Sequence, residues 1–454
     1  MIAPPGRILP PRPPGRPAAR APPLAAEYTR LLEGTSADRT SSGPRPGTVY
    51  PFGARVGYIS GVRVELLLTA VVGLGALSID MFLPSLPAIA TAFAAPPATV
   101  QLTVTLFLIA FAVGQLVYGP LSDRYGRRGV LIGGLALYTV AGLLCAVAPG
   151  VGTLVAARVL QALGGGSGPV VARAVVRDLY DRERAARVFS YMSMAQSLNP
   201  MLAPVLGGYV HEAFGWRAVF WVLAAAGALF TTLMALGVRE TNVRRDATAL
   251  NPGQIGRNVA LLLADRGYLA YVMVNALMFG GQFAFISGSS FVLIGVLGVS
   301  PSVFGLCFGA VALGIMTGTF LSGRFGGRLG LDRTIQIGTV LGAGAGLALA
   351  GLAWSGVLTV AAVIAPMYVF AVGLGLTLPN GMAGAIGPFP HMAGLAAAMA
   401  GFLQMTGSAL YSMAVGHFFD GTARPMTTAI ALAGCIAAVA FRILRSRPGS
   451  AVLA

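Results

Sequence analysis

The sequence predicts an all-α polytopic membrane protein of twelve transmembrane helices in two six-helix bundles, with both termini cytoplasmic. Three observations carry that prediction. Hydrophobic residues make up 56% of the chain and charged ones 10%, with a mean hydropathy of +0.77, a composition suited to a lipid-facing surface and not to a wet one. Apolar runs of about 20 residues, long enough to cross roughly 30 Å of hydrocarbon, succeed one another from residue 62 onward. The arginines gather in alternate gaps between those runs.

The runs lie at 62–83, 100–120, 129–148, 152–173, 188–210 and 217–238, and then at 268–291, 301–322, 334–354, 357–379, 392–415 and 426–444. Gaps after helices two, four, six and eight hold Arg124, Arg127 and Arg128, Arg177 to Arg187, Arg239 to Arg266, and Arg324 to Arg333. Gaps after helices one, three, seven and nine hold none. Cationic loops stay on the cytoplasmic side, so both ends of the chain lie inside and the number of helices is even. The expected organisation is a tail over 1–60, a bundle over 61–238, a central cytoplasmic loop over 239–266, a second bundle over 267–445 and a cytoplasmic tail over 446–454. Runs such as Pro10-Pro11-Arg12-Pro13-Pro14 cannot form a continuous helix, so the first tail is expected to be disordered, with a start codon further downstream as the alternative.

The two halves echo each other. Leu121-Ser122-Asp123-Arg124-Tyr125-Gly126-Arg127-Arg128 recurs 200 positions later as Leu321-Ser322-Gly323-Arg324-Phe325-Gly326-Gly327-Arg328. A parallel repeat of six helices implies a substrate cavity between the halves.

Composition also excludes. The net charge of +16 comes entirely from arginine, since the chain contains no lysine, and its placement in loops speaks for membrane topology and against a nucleic-acid surface. Without lysine there is neither a Walker-type ATP site nor a Schiff-base amine. Cys145, Cys307 and Cys435 sit singly in separate apolar runs, so they are read as buried small side chains and not as a metal site or disulfide. No enzyme is expected, because no Ser/His/Asp or His/Glu metal constellation stands among so few polar residues.

Several motifs resemble those of one family. Gly119-Pro-Leu-Ser-Asp123-Arg124-Tyr-Gly126-Arg127-Arg128 is similar to the helix 2–3 signature of the major facilitator superfamily. Leu154-Val-Ala-Ala-Arg158-Val-Leu-Gln161-Ala-Leu-Gly164 resembles its helix-four arginine motif, and Asn199-Pro200-Met-Leu-Ala203-Pro204-Val-Leu-Gly207-Gly208 its helix-five antiporter motif, with Ala203 where glycine is common. Ser78-Ile-Asp80-Met-Phe-Leu-Pro84-Ser-Leu-Pro87 and Phe285-Ile-Ser-Gly-Ser-Ser-Phe291 narrow the resemblance to the Bcr/CflA drug:proton antiporters. The resemblance covers about residues 60 to 445 and implies the major facilitator fold, alternating access, and export of an amphipathic drug in exchange for protons.

Charged groups inside hydrocarbon need a partner or a purpose. Asp80 and Arg158 each lie about 8 Å below the outer surface by helical rise, and are read as the proton-coupling carboxylate and its modulator, or as a structural pair. Past Asp265 the acidic residues are Asp332 and Asp420, both in loops, so a side-chain proton carrier should lie in the first half. Gly119, Asp123, Arg124, Gly126, Arg127 and Arg128 would form, by resemblance, an inward-side latch between the halves. Pro200 and Pro204 are expected to kink or interrupt helix five, with Gly207 and Gly208 allowing tight packing. Candidate cavity residues are Asn199, Met278, Phe279, Gln282, Phe283, Phe285, Asn380 and Gln404, an adaptable mixture of aromatic, thioether and amide surface. The expected partners are a small amphipathic drug or metabolite, protons and membrane lipid; no metal or organic cofactor is expected, and the protein is read as a monomer. Three other readings stay open: an exporter of an endogenous amino acid or peptide, a proton-coupled importer, and a non-transporting scaffold.

Overall fold

The computed structural model describes residues 61–242 and 252–446, and no strand occurs among them. The first tail, part of the central loop and most of the last tail lie outside the described residues. Among the described residues, eleven helices are long and apolar enough to cross a membrane. They are α1 (Val64–Ala92), α2 (Pro97–Tyr125), α3 (Arg127–Ala146), α4 (Val151–Leu179), α6 (Trp216–Gly237), α7 (Arg266–Val296), α8 (Pro301–Leu329), α9 (Leu331–Trp354), α10 (Val360–Ile386), α11 (Ala393–His417) and α12 (Arg424–Leu444). Between α4 and α6 runs α5 (Arg182–Phe214), the longest of all at 33 residues. Composition alone does not mark it as a span, because Ser190, Tyr191, Ser193, Gln196 and Ser197 fill its first half. With α5 the described residues hold six long helices on each side of the central gap, and a short helix (Pro252–Ala264) precedes α7.

The helices outrun the apolar segments that announce them. The second helix continues to Tyr125 and the eighth to Leu329, because arginine is a good helix former and its stem can reach back along apolar surface while its head stays wet. Chain breaks are correspondingly short. Gly126 alone separates α2 from α3, at φ 105°, a conformation open to glycine and strained for other residues. The sequence echo puts the matching break at Gly326; it falls one helical turn later, at Gly330 with φ 78°.

Three buried clusters hold the bundles together. One is continuous through both halves: it joins Phe82, Phe107 and Phe220 to Phe285, Phe304 and Phe370 at the end of the bundle that is poor in arginine. At the arginine-rich end the core divides. Leu68, Val71, Leu135, Val175 and Met234 form a cluster within the first half, and Leu262, Tyr271, Ile335, Ala385 and Phe441 form another within the second. The halves are thus joined at one end and separate at the other.

Candidate functional site

The first span is broken at the residue it was singled out for. An α-helix covers Gly61–Asp80, a 3₁₀ turn covers Leu83–Ser85, and α-helix resumes over Leu86–Ala92. The cause is local. The ring of Pro84 collides with the carbonyl four residues back, which is that of Asp80, and proline has no N–H to continue the ladder. Pro84 and Pro87 then sit at the starts of the next two segments, where proline fits well. The first helix does not end near Pro84, as its apolar run implies, but twelve residues beyond Asp80, at Ala92. Asp80 therefore lies deeper in its span than expected.

The break strands the carbonyl of Ser78, whose i+4 amide is no longer in place. Arg158 on α4 takes it: Nη2 donates to Ser78 O at 3.0 Å, and Nη1 donates to Gln161 Oε1 at 2.7 Å. The guanidinium carbon lies 4.2 Å from the ring centroid of Phe82 and 4.0 Å from that of Phe107, between two aromatic faces that attract a cation. Arg158 is 0% exposed, and its Nε has no partner. Asp80 is 5% exposed, and nothing among the described residues forms a hydrogen bond or ion pair to its carboxylate. Arg158 thus holds the carbonyl of Ser78, two residues before Asp80, and does not pair with the Asp80 carboxylate.

Sequence reasoning gave no role to the residues that complete this arrangement. Gln161 stands on the same face of α4 as Arg158, three positions on; Phe82 follows Asp80 by two; Tyr138 on α3 hydrogen-bonds the Ser78 hydroxyl, which also donates to Leu74 O at 2.9 Å. The i, i+3 spacing of Arg158 and Gln161 was a usable signal; the contact with Tyr138, 60 residues away, had none. A planar guanidinium stacked between rings is not replaceable by a point-like ammonium. Arg158→Lys is therefore expected to lose most transport while folding normally, checked by drug flux alongside melting temperature in detergent.

The residues of the helix 2–3 motif bind one another within the first half. Arg127 Nη1 pairs with Asp123 at 2.5 Å and its Nε with Asp178, at the end of α4, at 3.2 Å. Arg128 donates to the carbonyls of Ala235 (2.7 Å) and Val238 (2.8 Å). Arg124 packs over Tyr125 at 5.4 Å, and a Cβ added at Gly119 would meet Val170 in ordinary contact at 3.8 Å. None of the contacts of Asp123, Arg127 or Arg128 reaches the second half, so the expected bridge between halves is not made in this conformation. Glu240, which sequence reading passed over, accepts from the backbone N–H groups of Arg127 (2.8 Å) and Arg128 (3.2 Å) and so caps the start of α3.

The joined end of the bundle is built on α5. Pro200 and Pro204 lie inside a helix that runs unbroken from Arg182 to Phe214, so they do not interrupt it. Asn199 Nδ2 donates to Gly73 O at 2.6 Å, fixing α5 to α1. A side chain at Gly207 would strike the carbonyl of Met81, next to the break, and one at Gly208 would meet the carbonyl carbon of Pro301 on α8 at 2.8 Å. Further polar contacts cross between the halves here: Ser302 N to Glu212 Oε1 at 3.0 Å, Gln101 Nε2 to Ser287 O at 3.3 Å, and Thr105 Oγ1 to Ser412 Oγ at 3.0 Å.

Comparison with known proteins follows the same lines. The family model described as Major Facilitator Superfamily matches residues 68–412. The chain belongs to the major facilitator superfamily. It is 34% identical over 389 residues to an uncharacterized MFS-type transporter, YdgK, of Bacillus subtilis, covering 84% of this chain and 94% of that one. It is 30% identical over 375 residues to the bicyclomycin resistance protein homolog of Haemophilus influenzae, with 81% and 92% covered. With the chloramphenicol resistance protein of Pseudomonas aeruginosa it shares 32% over 336 residues, 74% and 79% of the two chains. Its fold is that of a bacterial homolog of the human lysosomal transporter Spinster in an inward-facing and occupied conformation, at a TM-score of 0.68 and 17% identity over 84% of this chain and 96% of that one. The protein is thus a multi-pass membrane transporter with antibiotic-resistance relatives, and not an enzyme.

In this major facilitator transporter the cavity candidates divide. Phe279 and Phe283 pack edge to face at 5.0 Å on α7, and Gln282 between them is buried with Oε1 unpartnered. Gln404 on α11 is half-buried. Met278 and Phe285 are instead fully buried in the second half, Met278 against Gly342 and Phe285 against Phe308 at 5.7 Å. Asn380 donates to Ser322 Oγ at 2.6 Å and joins α10 to α8. These last three serve packing in this conformation.

The Glu240 cap carries a pH signature. Burial pushes its carboxyl up, but the backbone N–H groups of Asn242, Arg127, Arg128 and Thr241 outweigh that and hold it below the usual range. A depressed folded-state value means the cap's contribution is fully present above the ordinary Glu value of about 4.3 and disappears as pH falls through the lower folded value. Glu240→Gln is expected to melt at a lower temperature than the parent at pH 7, with the gap closing below about pH 4, read by thermal unfolding in detergent.

Proposed function

We propose that this transporter is a proton-coupled multidrug exporter of the bacterial inner membrane, acting by alternating access on amphipathic cargo of the phenicol or bicyclomycin kind. The observation that supports it best is Asp80: a buried carboxylate with no partner among the described residues, at a proline-made break in the first span, two residues beyond the Ser78 carbonyl that a buried arginine holds. Keeping such a carboxylate charged is costly unless something pairs with it. A proton is the simplest partner available to it. Rearrangement of the Ser78–Arg158 contact would bring the guanidinium toward Asp80 and favour the charged form instead. One position would then load a proton and the other release it.

Among the described residues the halves share no buried cluster at the arginine-rich end, which the positive-inside rule assigns to the cytoplasm, so this conformation would be the one that accepts cargo from the cytoplasm or inner leaflet. Proton and drug would each need a different affinity in the two conformations, because a ligand that binds both equally moves neither. The resistance relatives support a drug as cargo. The test uses the purified protein in liposomes with an interior pH dye and chloramphenicol or bicyclomycin as cargo. Drug-dependent proton movement opposite to the drug is expected; drug flux with no proton movement would rule the coupling out, and co-directional movement would make it an importer.

A further inference from the structure

α5 runs beside α1 in one constant register. Asn199 meets Gly73, a Cβ at Gly207 would strike the carbonyl of Met81, and the ring of His211 reaches Ser85, its Nδ1 lying 3.2 Å from the hydroxyl oxygen. The members of each pair are 126 positions apart. A stripe of α5 at every fourth residue, completed by Ala203, thus follows the first span past its break. It consists of amide and small residues until His211, its one titratable member. Asp80 precedes Met81, so in this register it stands level with Leu206, five residues or about 7.5 Å along α5 from His211. Ser85 and Asp80 are buried, whereas His211 is half-buried. From the outside inward the order is an accessible imidazole, a buried hydroxyl and a buried carboxylate.

We infer that His211 is the relay through which Asp80 exchanges its proton with water at the arginine-poor end, an inference that rests on the proton-coupling reading of Asp80 above. Imidazole suits that work, because an ordinary pKa of about 6.5 lets it take and give a proton near neutral pH, and its two nitrogens are separate ports. A proton from outer water enters at Nε2. The proton on Nδ1 passes to the Ser85 oxygen while the Ser85 hydroxyl proton moves on, through bridging water, to the carboxylate. Asp80 ends neutral, the Ser85 hydroxyl is whole again, and the ring is neutral with its proton on Nε2; exchange with outer water restores the first tautomer. Among the described residues around His211, no other titratable group stands on this path. Its neighbour Glu212 accepts from the Ser302 N–H on α8 at 3.0 Å. Tyr209 on α5 is exposed and keeps its proton at neutral pH. On α6, Arg217 lies over Trp216 at 4.2 Å and donates to Ala148 O. α8 has no titratable side chain before Cys307, and from Leu66 to Ala92 α1 has Asp80 alone. His211 touches the broken first span and Glu212, next to it, holds α8, so opening of that end would wet the relay as it frees α8.

The test follows drug-dependent proton movement in liposomes, with an interior pH dye and chloramphenicol as the probe. His211→Gln, which can still hydrogen-bond Ser85 but carries no proton at neutral pH, and His211→Ala are expected to slow that movement by about tenfold or more at mildly alkaline pH, where free protons are scarce. Given time, drug accumulation should still reach that of the parent, because a relay sets the rate and not the driving force; in Asp80→Asn accumulation itself is lost. Added imidazole should restore the rate of His211→Ala, whose vacated space admits it, and leave the parent unchanged. A parental rate in His211→Gln, or a slow His211→Ala that imidazole does not speed, would make the contact a structural tie and overturn the relay while the coupling reading stands. No drug-dependent proton movement in the parent would remove both.

Discussion

Asp80→Asn is expected to fold, to bind drug, and to stop responding to a pH gradient. The change is isosteric and removes no ion pair or hydrogen bond seen among the described residues, so melting in detergent should be close to that of the parent. The functional loss is large by comparison. A gradient of one pH unit is worth about 1.4 kcal/mol per proton, enough for a tenfold drug gradient at one proton per drug. In the variant that driving force has no group to act through. Drug should only equilibrate, and accumulation in liposomes with an imposed gradient should fall to that of liposomes without one. Gradient-driven accumulation that survives in Asp80→Asn would remove Asp80 from the coupling step.

Gly305→Leu is expected to hold the joined end of the bundle open. The new side chain would meet the Val205 Cα and, at 2.8 Å, the Pro204 carbonyl, both backbone atoms of a neighbouring helix that cannot swing aside. Overpacking of this kind costs about 1–3 kcal/mol, roughly 5- to 150-fold in the balance between two conformations. Transport should fall sharply, and a cysteine at Ser302, half-buried here, should react faster with a membrane-impermeant thiol reagent. Unchanged reactivity would show that the contact between α5 and α8 does not decide which end is open. Gly323 is the internal contrast, since a side chain there meets nothing in this conformation.

Much of the architecture was legible in the sequence, because apolar length and arginine placement are direct consequences of the bilayer. The boundaries were less so, since arginine-bearing helix ends continue past the hydrocarbon. At the site, Asp80 and Arg158 stood out as ions in apolar runs, and their burial follows. Their relation did not. Pro84 reads as a helix end, and only the structure shows that it instead divides one span in two, lowers Asp80 within it and frees the Ser78 carbonyl for Arg158. Tyr138, Phe107 and Glu240 are ordinary residues by sequence; distant chain segments make them part of the site. Met278, Phe285 and Asn380 share the composition of a drug pocket, but composition does not say which side of a helix faces the cleft.

The polarity of α5 bears on how the protein is made. A segment with serines, a glutamine and an asparagine along its length gains little by entering lipid alone, unlike the eleven others. Its fixed neighbour α1 leaves the ribosome before it, and offers the Gly73 and Met81 carbonyls that Asn199 and Gly207 meet. Its other neighbour, α8, is not synthesised until nearly a hundred residues later. For that interval α5 depends on the first half to keep it in the bilayer, with one side of the helix still waiting for its partner.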